Sequence, residues 1–150
     1  MLDFATVRST SSNTAKQPDL GQVPDDVMVI LLVEDEPVVR RLLATSLRRS
    51  GYCVVETRNG AEGLEAAARL PRVDLVVSDI DMPVMTGPEL AGRLRQTQPE
   101  LRFLFVSGYL MNDHLESTAD VMHKPFKQDQ LIRKIVELIG GPGAPQSVAS

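Results

Sequence analysis

The chain predicts an α/β domain built on a doubly wound, five-stranded parallel sheet, and three observations carry that expectation. Short apolar runs recur: Val29-Ile30-Leu31-Leu32-Val33, Leu75-Val76-Val77 and Phe103-Leu104-Phe105-Val106. They show no polar alternation, as in strands covered on both faces. Helix-forming stretches separate them, and strands alternating with helices are the pattern of parallel α/β layers. Right-handed crossovers then leave only a few topologies.

Each element has its own signals. The first strand is expected at 28–33 and is followed by a helix over 37–49. Asp35 is expected to cap that helix, Pro37 suits its first turn, and Gly51 suits its end. A strand at 53–57 leads through Asn59-Gly60 to a helix near 60–69, which Pro71 stops. A strand at 73–78 leads to a helix from Pro88 to about Gln96. A strand at 102–106 precedes a weak helix near 110–117. The last strand, near 120–122, precedes a helix over 127–139. In it Leu131, Ile135 and Leu138 recur at helical spacing, and Ile132, Val136 and Ile139 widen the stripe.

A length of 150 residues fits one domain, and 43% hydrophobic with 24% charged residues permits a packed core. Residues 1–26 are mostly polar, and 141–150 follow Gly140-Gly141-Pro142-Gly143. Both ends read as flexible tails around a body of 27–140. The net charge of −4 leans away from a nucleic-acid coat, and 4% aromatics with no Trp leave little for base stacking. The single Cys53 excludes an internal disulfide; beside Val54-Val55 it reads as a buried strand thiol in a reducing compartment. No apolar stretch approaches the roughly 20 residues of a membrane span, and no secretory start is visible. The expected location is the cytoplasm, with no membrane or nucleic-acid partner.

Each of the three apolar runs breaks off at an oxygen-bearing residue. The first meets Glu34-Asp35, the second, which carries on through Ser78, meets Asp79, and the third meets Ser107. Ligands of open α/β sheets sit outside the carboxyl ends of the strands. If these strands are neighbours, the carboxylates meet Lys124 in one patch suited to a hard divalent cation and a phosphoryl group. A lone Asp after a strand is most often a turn former or a helix cap. Independent turn preferences do not explain the lysine.

The motifs Val33-Glu34-Asp35-Glu36-Pro37, Ser78-Asp79-Ile80-Asp81-Met82-Pro83-Val84-Met85-Thr86-Gly87, Val106-Ser107-Gly108 and Lys124-Pro125-Phe126 together resemble the receiver domain of two-component response regulators. The resemblance covers about 27–139, and the Ser107-Gly108-Tyr109 wording is most similar to receivers of hybrid sensor kinases. It implies a flavodoxin-like (βα)5 fold with strand order 2-1-3-4-5. It implies that Asp79 accepts a phosphoryl group from a phosphohistidine on a histidine kinase or phosphotransfer protein. Mg²⁺ would be held by Glu34, Asp35, Asp79 and the backbone carbonyl of Asp81. Ser107 and Lys124 would bind the phosphate and switch, and Pro125 would follow a cis peptide bond. Such a domain is not an enzyme in the ordinary sense, although it assists its own phosphorylation and dephosphorylation.

Three positions depart from the family pattern. Val121 stands three before the lysine, where an aromatic switch residue is usual. The Ser107–Lys124 interval is short by roughly one helical turn of about 3.6 residues. Asp81 adds a carboxylate beside the pocket. His114 and His123 read as surface residues, and Arg40-Arg41 and Arg48-Arg49 as solvated helix faces, the first pair bordering a possible kinase docking patch. Alternatives are a receiver-shaped scaffold that works without phosphorylation, a metal-dependent phosphatase using Asp79-Ile80-Asp81, and a toprim-type nucleic-acid enzyme. Pro83 counts against the phosphatase, and the acidic balance against the nuclease. Cognate kinase, output and oligomeric state are not written in the chain.

Overall fold

The computed structural model describes Pro18, Leu20, Gly21, residues 23–108 and residues 120–142. Five strands form one parallel sheet: β1 (Val29–Val33), β2 (Cys53–Thr57), β3 (Leu75–Asp79), β4 (Phe103–Ser107) and β5 (Asp120–His123). Their order is β2-β1-β3-β4-β5, as the resemblance implies. Among the described residues four helices connect or follow them: α1 (Pro37–Arg49), α2 (Gly60–Arg69), α3 (Gly87–Arg95) and α4 (Gln128–Ile139). The helix expected near 110–117 lies outside the described residues.

The apolar runs are continuous because the sheet is covered twice. In β1 every residue is buried. Val29, Leu31 and Val33 face one core with Ala66 and Ala67 of α2 and Leu90 and Leu94 of α3. Ile30 and Leu32 face the other, with Leu43 and Leu47 of α1 and Leu131 and Ile135 of α4. Successive side chains of a strand point to opposite faces, so one run feeds both cores. In β4, Phe103 and Phe105 join the first core, Leu104 and Val106 the second. Val121, in place of an aromatic ring, is half-buried against the first core. Cys53 is half-buried, less enclosed than a core thiol, and partial burial raises its pKa.

Several boundaries move. β3 starts at Leu75 because Asp74 is spent on the rim: its carboxylate accepts the Val29 N–H at 2.7 Å. β3 and β4 each run one residue further than expected, so Asp79 and Ser107 are themselves the last strand residues. Asp35 does not cap α1. Glu36 takes the N-cap position without a side-chain hydrogen bond, and Pro37 opens the helix. Gly51, just past that helix, has φ +103°, a conformation that suits glycine. The Asn59 side chain caps α2 by accepting the Glu62 N–H at 2.8 Å. Thr86 and Glu89 form a capping box on α3.

Packing reaches past both expected edges of the folded body. Val23 is buried and Leu20 packs against the same core. Arg72 holds the preceding chain through the Pro24 and Val27 carbonyls. At the other end the Pro142 carbonyl accepts the Met28 N–H at 2.9 Å. Short polar stretches can be retained this way when their backbone groups find partners.

Candidate functional site

Neighbouring strands end together. Val33 pairs in register with Ser78, Asp79 with Val106, and Ser107 with His123. The carboxyl rim of β1, β3 and β4 therefore carries Glu34-Asp35, Asp79 and Ser107 side by side. One carboxylate oxygen from each of Glu34, Asp35 and Asp79 lies within 4.8 Å of the others. Lys124, one residue past β5, places Nζ 3.5 Å from Glu34 Oε1 and 3.8 Å from Asp79 Oδ2. Its backbone N–H donates to the Ser107 carbonyl at 2.7 Å, and its bond to Pro125 is cis. Ser107 is buried, whereas Asp81 and His123 are exposed. Tyr109 and His114 lie outside the described residues.

Glu34 is held on several sides. Its N–H donates to the Thr57 carbonyl at 3.1 Å, and its own carbonyl accepts from Arg40 Nη1 at 2.9 Å. Its Oε2 accepts the Glu36 N–H at 3.2 Å. Its Oε1 is buried and accepts no hydrogen bond. Buried acceptors are nearly always hydrogen-bonded, and here the ion pair to Lys124 at 3.5 Å leaves this oxygen's hydrogen-bonding capacity open to a cation.

Crowding shows in the titration of the acids. Burial, with the Asp79 charge behind it, raises Glu34 from 4.5 to about 7; the Glu36 N–H and Lys124 oppose, and Asp35 adds to the rise. Burial likewise raises Asp79, against the pull of Lys124 and the Asp81 and Ile80 N–H groups and with a further push from Asp35. A hard cation suits such a set. Its ligands are all oxygens, one of them accepts no hydrogen bond, and the excess negative charge falls when it binds. Glu34, Asp35 and Asp79 are the side chains that could hold it.

Several supports were invisible in the sequence. Thr57 Oγ1 donates to the Leu32 carbonyl at 2.9 Å and so ties β2 to the end of β1. Arg40 and Arg48 do not lie on a solvated face. Both turn toward Glu56, at 3.7 Å and 2.8 Å, with side chains only 16% and 6% exposed. Arg41 and Arg49 are the exposed members of the two pairs. Adjacent helix residues point about 100° apart, since a turn takes about 3.6 residues. Gly87 is needed for close approach: a Cβ there would sit 2.5 Å from the Asp79 carbonyl and 3.1 Å from the Phe105 ring.

The chain is a doubly wound parallel domain with a carboxylate pocket facing a lysine at the carboxyl rim of its sheet. The profile of the response regulator receiver domain matches residues 30–136. Among curated proteins, the response regulator receiver protein CpdR of Brucella abortus is 35% identical, over 73% of this chain and 95% of its own length. Sensor kinase CckA of the same organism is 37% identical over 91% of this chain, which spans only 15% of that kinase. The crystal structure of the receiver domain of hybrid histidine kinase CckA matches with a TM-score of 0.65 and 33% identity, over 73% of this chain and 97% of that one. That of response regulator TrrA from Thermotoga maritima, in complex with Mg(2+)-BeF, matches with 0.68 and 33%, over 74% and 98%. The chain belongs to the response regulator receiver domain family of two-component signalling. Receiver domains are signalling modules rather than ordinary enzymes. No helix among the described residues is long and apolar enough to cross a membrane.

Proposed function

We propose that Asp79 is the phosphoacceptor of a two-component phosphorelay. The observation that supports this best is the convergence of Lys124 on Glu34 and Asp79, at 3.5 and 3.8 Å, beside a buried carboxylate oxygen without a hydrogen bond. An Asp79 carboxylate oxygen bonds to phosphorus as the P–N bond of a phosphohistidine breaks, the electron pair returning to the donor's imidazole. Phosphoryl transfer asks the protein mainly for in-line positioning and charge neutralisation. Mg²⁺, when bound by Glu34, Asp35, Asp79 and the Asp81 carbonyl, supplies positive charge against the incoming oxygens. Lys124, beside Glu34 and Asp79, supplies a second point charge. Ser107 donates a hydrogen bond to a phosphoryl oxygen.

The product adds about −1.5 to −2 charge at the rim. Lys124 and Ser107 then move toward it, and the equilibrium shifts between two packings of the same chain. Val121 has no ring to swing, and the loops that carry Ser107 and Lys124 transmit the change. The donor docks beside the pocket on α1. There Val38 and Leu42, one turn apart, are 80% and 54% exposed next to Arg41. A helix of a kinase or phosphotransfer protein fits this apolar ridge with its basic border, and a cytoplasmic setting suits that partner.

The test is incubation with Mg²⁺ and acetyl phosphate, followed by intact-mass measurement. One phosphoryl group should be gained by the wild type and none by Asp79→Asn. Unaltered incorporation in Asp79→Asn would remove Asp79 from this role.

A further inference from the structure

We propose that Arg40 is a positioning residue for the acidic pocket, acting through the peptide that joins Glu34 to Asp35 and held in place by Glu56 and Arg48. The inference rests on the metal-binding reading of that pocket. Only three residues separate the end of β1 from the start of α1, and they carry two of the three clustered carboxylates. The Glu34 carbonyl lies beyond the sheet ladder, and the Arg40 guanidinium reaches back from the first turn of α1 to bind it at 2.9 Å. How that peptide is turned decides where the Asp35 side chain leaves the backbone.

Arg40 is itself fixed from β2. Its Nε lies 3.7 Å from Glu56 Oε1, and the other Glu56 oxygen accepts from Arg48 Nη1 at 2.8 Å. Arg48 Nη2 donates to the Val54 carbonyl at 2.8 Å. Glu56 pairs in register with Leu32, two residues before Glu34. A line of alternating charge therefore runs from the edge strand to the turn that presents Glu34 and Asp35. A guanidinium is a planar fork with donors on more than one edge, so it can serve the carbonyl and Glu56 together. A lysine ammonium at the end of a flexible stem does not hold both in one plane.

Simple electrostatics and positioning predict opposite signs. Removing a cation near a divalent-cation site should tighten binding if only charge matters. If Arg40 orients the turn, its removal should weaken binding. Groups behind the metal ligands typically change affinity by about tenfold or more.

The experiment uses the full chain and titrates Mg²⁺ alone by calorimetry, with no phosphodonor. Backbone amide shifts of Glu34 and Asp35 and urea midpoints are measured in EDTA. Arg40→Ala should raise the Mg²⁺ dissociation constant about tenfold and shift the Asp35 amide in the ion-free protein. Arg40→Lys should recover the urea midpoint but leave the affinity several-fold weak. Glu56→Gln should weaken binding less, and the Arg40→Ala/Glu56→Gln double variant should be no weaker than Arg40→Ala alone. Unchanged or tighter Mg²⁺ binding in Arg40→Ala overturns the proposal, as does Arg40→Lys restoring midpoint and affinity together. If the wild type binds no Mg²⁺, the reading of the pocket fails. An Asp35 amide that moves in Arg40→Ala would still show that Arg40 sets the turn, and one that does not would end both.

Discussion

Replacing Glu34 with Gln should flatten the pH dependence of stability in the absence of metal. The Glu34 carboxyl is 1% exposed and titrates at about 7 in the folded protein against 4.5 as its ordinary value. Between those values the folded chain keeps a proton that the unfolded chain has released. Unfolding free energy falls with pH wherever the native state binds more protons. The stability is therefore fully present below about pH 4.5 and has been lost once the pH passes about 7. A rise of about 2.5 pH units corresponds to about 3 kcal/mol as a ceiling, at about 1.4 kcal/mol per unit. That is a large share of the roughly 5–15 kcal/mol that holds a domain together. Asp79 is raised by burial, with a further push from Asp35, and it contributes in the same direction. The assay is urea unfolding by far-ultraviolet circular dichroism in EDTA, from about pH 5 to about pH 8, on wild type and Glu34→Gln. The wild type should lose up to about 3 kcal/mol more than the variant over this range. Saturating Mg²⁺ should restore the wild type above neutrality, since a ligand of the folded state stabilises it by mass action. Parallel curves for the two proteins would refute the reasoning.

Two further substitutions probe the loop after Asp79. Gly87→Ala places a methyl group 2.5 Å from the Asp79 carbonyl, where backbone has to yield. It should cost about 1–3 kcal/mol in urea unfolding and slow acetyl phosphate incorporation, because the displaced atom belongs to Asp79, the proposed phosphoacceptor. Val84 is 95% exposed at φ +71°, and the Met85 N–H closes a three-residue turn onto the Pro83 carbonyl at 2.7 Å. A β-branched residue there is strained, so Val84→Gly should raise the urea midpoint by an amount equivalent to about 1 kcal/mol.

Much of the fold and most of the residues of the candidate site were legible in order along the chain. Apolar runs without alternation demand cover on both faces, and that demand yields a parallel sheet with helices on each side. The residues that interrupt the runs are then bound to lie at the carboxyl rim, where Glu34, Asp35 and Asp79 do meet and Lys124 joins them. Helix α2 was legible because its cap is local: Asn59 acts on a residue three positions away. Expectation failed where a polar group finds its partner far along the chain. Asp74 leaves β3 to bind Val29, 45 residues away, and no local pattern encodes that.

What the sequence determined alone was the kinds of chemical group and their order, because strand period and turn preference act over a few residues. The tertiary structure alone decided which groups lost water and which found partners. Arg40 and Arg41 are neighbours in sequence, yet one is drawn under the acidic turn by Glu56 and the other remains exposed. Glu34 holds its proton to about neutral pH because sheet, helix and Asp79 close around it. Desolvation and Coulomb energy depend on distances through space, and the folded chain sets those distances.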